Sequence, residues 1–509
     1  MPFWDSFTSF WDIRKKVYIC TSILTERKMK TRILVILFLI ILPFVACKKD
    51  DDTKPQNTTN NETPVVVPKD NLVAEMTSET YTPTEMSNVI TNGHIFTWYL
   101  DEEAAINAFK VAFQVIKNNR LFILDTTFAH RKVLIGYKRN WTVESHVFTY
   151  RSVSAKGEPI VLSGRVSFPN STDGTPHQVQ SLSLCTHFLL HEHAQAPGLE
   201  LSPFVMRTLY NSAVIEPDYE GYGLTSSRPY PGFSYELMGR QTLDCARAAL
   251  QVMKKHGVTP VEDVYSTVWG YSLGTPNAMA VMKYYDVNLP QDEKEQLNIT
   301  SGFMGCGPLL LRDMVEYLDE NPDFNAGGLA YMPSFLSALS ASEFKGYKVT
   351  DFLPSWVQTH IVTVDGKQMT FMEAMQQNKL TWFDRPEEYP SSVLKNNLAE
   401  DMCTADGHLD KNNPKTQILL DLIERLSSWD GWIPQEDVYL THCQDDNFIP
   451  FAQVEKFYQS KKSSPKMHFK NVSAKPLDNL MGVHAASTAT DILISILHDQ
   501  PADSYKYLY

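Results

Sequence analysis

The chain has 509 residues, 43% of them hydrophobic and 21% charged, ordinary proportions for a globular protein with a sizeable core. A formal net charge of −13 argues against a nucleic-acid partner, because phosphate binding needs a clustered basic face. Seven cysteines without C-x-x-C spacing fit neither a zinc module nor a small disulfide scaffold.

Residues 29–47 read MKTRILVILFLIILPFVAC, with Lys30 and Arg32 ahead of about 14 largely apolar residues, Ile33 to Ala46, and then Cys47. A spanning helix needs roughly 20 apolar residues, so the run has the proportions of a secretory signal. Phe44-Val45-Ala46-Cys47 resembles a bacterial lipobox, with Phe44 where the usual residue is Leu. That resemblance implies cleavage just before Cys47 and lipidation of its thiol, which would anchor the chain to a membrane. Lys48-Lys49-Asp50-Asp51-Asp52 resembles the surface-export signal of Bacteroidetes lipoproteins, so a surface-exposed outer-membrane lipoprotein is expected. Residues 1–28 precede this signal and are read as an over-extended start. Residues 47–70 are polar and contain prolines, the composition of a flexible tether.

Residues 71–145 are expected to decorate the enzyme core, with one helix over Glu102–Asn118 whose Ala104, Ile106, Phe109, Val111, Phe113 and Val115 recur at roughly helical period. From His146 the pattern alternates, giving short antiparallel strands punctuated by Pro159 and Gly164. Strands then alternate with helices: strands at Val179–Cys185, Ala213–Ile215 and Val264–Trp269, helices at Leu237–Lys255 and Pro276–Tyr284. This order predicts an α/β fold, a mostly parallel sheet flanked by helices, with its active site at the carboxyl ends of the strands. Residues 307–432 are rich in Leu, Met and Phe and exceed what a βα unit needs, so they are read as a helical cap inserted between late strands. Strands return at Val438–Thr441 and Met467–Val472, and a helix closes the domain from Ala485 to Leu497. The enzyme domain is thus expected over 146–498.

The sequence Trp269-Gly270-Tyr271-Ser272-Leu273-Gly274 contains G-x-S-x-G between a β-branched strand and a helix, the context of a nucleophile elbow. The turn is so tight that side chains two positions either side of the serine would clash. Ser272 is the expected nucleophile, and the helix that begins beyond it favours negative charge near a reacting carbonyl.

A serine hydroxyl needs a base, and the base an orienting acid, which here should follow in the order Ser, Asp or Glu, His. His442-Cys443-Gln444-Asp445-Asp446-Asn447-Phe448-Ile449-Pro450 resembles the H-G-x-x-D-x-x-V-P segment that carries the acid in many α/β-hydrolases, with Cys443 in the place of Gly. The alignment selects Asp446, with Asp445 as the alternative. His484, at the start of the last helix, is the expected base, and His468 reads as a packed strand residue. The oxyanion donors are expected to be the backbone of Leu273 and of Phe188 or Leu189, in a loop where His187 is followed by Phe188 instead of Gly. His191 and His193, two apart with no third ligand, do not make a metal site, and no metal or cofactor is expected. Cys306 and Cys443 fall near adjacent strand ends and, in an exported protein, could pair as a disulfide.

Tyr150-Arg151-Ser152, Gly157, Ser163-Gly164, Pro217-Asp218-Tyr219-Glu220-Gly221-Tyr222-Gly223, the G-x-S-x-G turn and Trp432-Ile433-Pro434 together resemble the secretory lipase branch of the α/β-hydrolases. The resemblance implies hydrolysis of carboxylic esters, a small-molecule ester substrate and a Ser-Asp-His triad working through an acyl-enzyme. A serine peptidase of prolyl-oligopeptidase type, and a surface lipoprotein that only binds, are the alternatives.

Overall fold

The computed structural model describes residues 67–82, 85, 141–186, 205, 207–208, 211–321, 332–377, 379–380, 398–446 and 448–471. Nine strands form one sheet in the order β1-β2-β3-β5-β4-β6-β7-β10-β11. They are β1 (Leu72–Tyr81), β2 (Trp141–Val153), β3 (Pro159–Ser171), β4 (His177–Cys185), β5 (Ser212–Pro217), β6 (Val258–Tyr271), β7 (Ile299–Gly305), β10 (Asp437–His442) and β11 (Met467–Asn471). The six strands from β5 to β11 are mutually parallel, whereas β1, β2 and β3 form an antiparallel flank.

The parallel strands are largely buried on both faces because helices cover them, with Ser181, Ser183, Ser266, Thr267 and Ser301 buried among the apolar side chains. The last six residues of β6, Ser266 to Tyr271, are all buried. Helix α1 (Tyr235–Lys255) buries Met238, Leu243, Ala246, Ala249 and Met253, a stripe at helical spacing, and packs beside α2 (Gly274–Val287). Trp269, Phe303, Tyr439 and His468 stand opposite one another on β6, β7, β10 and β11. Their rings stack in sequence at centroid separations of 4.1, 5.1 and 4.6 Å. Each such pair is worth about 0.5–1.5 kcal/mol beyond its burial, so the ladder holds the parallel half in register. His468 is therefore a strand residue packed on Tyr439, and its Nε2 lies 2.8 Å from an Asp437 carboxylate oxygen.

The antiparallel flank differs from the sequence expectation in three respects. Residues 72–81, expected to lie in a decoration outside the core, form the edge strand β1, which pairs with β2 over its length. The sheet also takes in Trp141–Ser145, ahead of the expected boundary at 146. Finally, β2 and β3 are unbroken 13-residue strands. Pro159 opens β3, where its missing N–H costs nothing. Gly164 lies inside the strand because a Cβ there would come within 2.5 Å of Cys245 Sγ, a packing demand and not a turn.

Between β7 and β10, which pair directly, the chain inserts α3 (Leu311–Glu320), α4 (Met332–Ala338), a hairpin of β8 (Ile361–Val364) and β9 (Lys367–Thr370), α5 (Phe371–Gln376) and α6 (Pro414–Leu426). The expected helix over 102–118 and the closing helix from 485 lie outside the described residues, as do residues 1–66. Among the described residues no helix is long and apolar enough to cross a membrane.

Candidate active site

In chain order β5 lies on one side of β4 and β6 on the other, so the connections diverge at β4. Crevices at the carboxyl ends of strands beside such a switch point are where open α/β sheets bind ligands. Ser272 follows β6 at that edge. Its φ is +51°, a left-handed conformation that costs a non-glycine residue about 1–2 kcal/mol. A serine held so at the turn between a buried strand and a 14-residue helix has the strained geometry of a nucleophile elbow.

Several interactions hold the turn in place. The Ser272 N–H donates to Gly305 O on β7 at 2.8 Å, and the Thr275 N–H donates to Ser272 O at 3.0 Å. A Cβ on Gly270 would lie 2.1 Å from Gly274 O and 2.6 Å from the Ala278 methyl, so glycine is required at this position. Thr186, directly after β4, bridges the elbow: its Oγ1 is 2.9 Å from Trp269 O and 2.7 Å from Gly274 O. Thr275 Oγ1 donates to Gly305 O and accepts from Gly305 N–H at 3.0 Å. A Cβ on Gly307 would lie 2.6 Å from Ser272 O, and the roles of Thr186, Thr275 and Gly307 have no sequence signature because they arise only when distant segments meet. Leu273 sits at the N-cap of α2, where the first N–H groups of a helix lack intrahelical acceptors and the helix dipole is positive.

The turn that holds Asp445 and Asp446 leaves β10 two strands away. Tyr271, Gly305 and Thr441 stand level across β6, β7 and β10, so the three strands end at a common edge. Asp446 is 4% exposed, and its Oδ1 accepts from the N–H groups of Phe448 (2.8 Å) and Ile449 (2.9 Å). Asp445 is exposed to solvent. His442, fully buried, donates from Nε2 to Ile449 O at 3.1 Å and lies 3.9 Å from Asp446 Oδ2. The two N–H donors thus fix one carboxylate oxygen of Asp446, with Oδ2 on the side of His442.

Donor atoms of Cys306, His442 and Asp446 lie within 4.8 Å of one another. The pairing of Cys306 with Cys443, left open by the sequence, is not formed: both are buried free thiols. Cys306 has φ +50°, its N–H donates to Thr441 O at 3.0 Å, and its Sγ stands with His442 and Asp446. His484, Phe188, Leu189, His187, His191, His193 and Cys47 lie outside the described residues.

Several residues quoted for the family resemblance bond to one another. The Tyr150 hydroxyl donates to Asp218 O at 3.0 Å, and Ser163 Oγ donates to the Asp218 carboxylate at 2.5 Å. Glu220, which pairs with Arg228 at 2.9 Å, accepts from the Ala155 N–H at 2.7 Å. Burial raises the Glu220 carboxyl above its usual range against the pull of that N–H and of Arg228. These contacts hold the loop after β5 onto β2, β3 and the turn between them.

No protein-family model and no curated protein sequence matches the chain. Among solved structures it is similar to the rice cell wall degrading esterase LipA from Xanthomonas oryzae, with a TM-score of 0.56 and 17% identity over 84% of this chain and 98% of that one. A Legionella pneumophila protein aligns with a TM-score of 0.57 and 14% identity, over 86% and 98% of the two chains. The sheet order, the strand-to-helix turn at Ser272 and these likenesses agree, and the chain has the α/β-hydrolase fold.

Proposed function

We propose that the protein is a serine hydrolase that cleaves carboxylic esters, with Ser272, His484 and Asp446 as its triad. The observation that carries this reading is the left-handed Ser272 at the β6–α2 turn, on the edge where the parallel strands end. In the proposed reaction His484, oriented by Asp446, takes the Ser272 hydroxyl proton as Oγ attacks the ester carbonyl. The backbone N–H of Leu273 and one from Phe188 or Leu189 stabilise the tetrahedral oxyanion. The alcohol departs with the proton from His484, and water then releases the acid by the same route. The buried carboxylate of Asp446, with one oxygen held by two N–H donors, supports it over Asp445. The insertion between β7 and β10 would serve as a cap that shapes the acyl pocket. The likeness to an esterase of Xanthomonas oryzae agrees with ester chemistry.

A fluorophosphonate probe tests the nucleophile: peptide mass spectrometry should find it on Ser272, and Ser272→Ala should take up none. Labelling elsewhere, or equal labelling of the variant, would refute the assignment. We also propose that Cys47 carries a lipid anchor, on the strength of the Phe44–Cys47 pattern. Radiolabelled palmitate should enter the expressed chain and be lost in Cys47→Ser, whereas equal incorporation would reject the anchor.

A further inference from the structure

At the opposite end of β6 from Ser272, three elements bring together two histidines and two glutamates. His146 is on β2, Glu75 on the edge strand β1, and His256 directly follows α1. Glu75 and His256 are 181 residues apart in the chain, so no sequence spacing announces them. Donor atoms of Glu75, His146 and His256 lie within 4.8 Å of one another. His256 Nε2 is 2.7 Å and His146 Nδ1 3.8 Å from the same Glu75 oxygen, and the two imidazole centroids are 4.0 Å apart.

We propose that Glu75, His146 and His256 bind one zinc-class divalent cation that fastens the edge strand β1 to β2 and to the end of α1. Two imidazoles and a carboxylate are a zinc-type donor set, with a fourth place for water. Tetrahedral zinc, with bonds of about 2.0–2.2 Å, holds its ligand atoms about 3.4 Å apart, so the side chains need only small movements to enclose the ion. The surrounding shell is in place. Glu144 lies 3.1 Å from His146 Nε2 and can accept a hydrogen bond from its N–H, leaving Nδ1 free to ligate, which is the carboxylate–histidine arrangement that orients metal-bound imidazoles. Asn170 Nδ2 in turn donates to Glu144 at 2.9 Å and to His256 O at 3.2 Å. Nitrogen donors disfavour calcium and magnesium, which take oxygen shells. Most of β1 is exposed, so a bridge to β2 and α1 adds to a strand otherwise held on one side.

The test is to strip the full chain with chelator, add zinc sulfate, desalt, and measure retained zinc and melting temperature. The expected result is one equivalent retained and a rise of a few degrees, with no rise from calcium or magnesium chloride. The double variant Glu75→Gln, His256→Gln should lose that equivalent and the rise. Glu75→Gln alone, on the exposed edge strand, should weaken retention at least tenfold and serves if the double variant melts early without metal. No retained zinc, undiminished retention in these variants, or an equal rise with calcium would overturn the proposal.

Discussion

The backbone N–H of Ser272 donates to the carbonyl oxygen of Gly305 at 2.8 Å, which hangs the strand-to-helix turn on the neighbouring strand β7. The left-handed conformation of Ser272 is thus imposed by its surroundings. Replacing it by glycine relieves that strain at some cost in backbone entropy. Ser272→Gly should therefore be inactive yet more stable than Ser272→Ala by roughly 0.5–1 kcal/mol. Urea denaturation of the two variants measures this, and equal midpoints would mean that the turn is unstrained.

Gly307 supports the same turn from beneath. A Cβ there would lie 2.2 Å from Thr275 Cβ and 2.6 Å from Ser272 O, backbone and branched side chain that cannot swing away. Gly307→Ala should cost about 2–3 kcal/mol and lower ester turnover by displacing Ser272. Thermal unfolding and turnover should fall together; a variant with wild-type values of both would disprove the support.

The adjacent carboxylates can be separated. Asp446→Asn should lower kcat by about 10³–10⁴-fold, the cost of losing the orienting acid in a triad. Its amide oxygen can still accept from Phe448 and Ile449, so the fold should persist. Asp445→Asn, on an exposed residue, should stay within about twofold of wild type. The reverse ranking in steady-state kinetics would transfer the role to Asp445.

Burial pushes the Asp244 carboxyl on α1 up to about 6, although Arg247 and a hydrogen bond from Ser152 oppose it. Unfolded, the carboxyl titrates near 3.8, so between these values the folded chain holds a proton that the unfolded chain has lost. The stabilisation is full below about pH 4 and disappears as pH rises through about 6. Relative to Asp244→Asn, the wild type should lose on the order of 3 kcal/mol between pH 4 and 7.5. Parallel stability curves for the two proteins would contradict the shift.

The elbow was legible in the sequence because its demands are local: Gly270, Ser272 and Gly274 must be neighbours in the chain to make the turn. The parallel strands were legible because burial on both faces leaves short apolar runs such as Ala213 to Ile215. Strand β1 was not, since LVAEMTSETY is mostly exposed and its partner β2 begins about sixty residues later. Thr186 and Gly307 were also hidden, because each acts on the elbow from another strand end. The Glu75, His146 and His256 cluster has no sequence signature for the same reason.

Ester turnover tests the central claim most directly. The purified protein and Ser272→Ala should be compared on p-nitrophenyl esters of increasing acyl length, beside amide substrates. The account predicts ester hydrolysis that falls at least about a thousandfold in the variant, with the chain-length profile reporting the acyl pocket. A folded protein that turns over no ester above the variant, or that cleaves amides in preference, would contradict it.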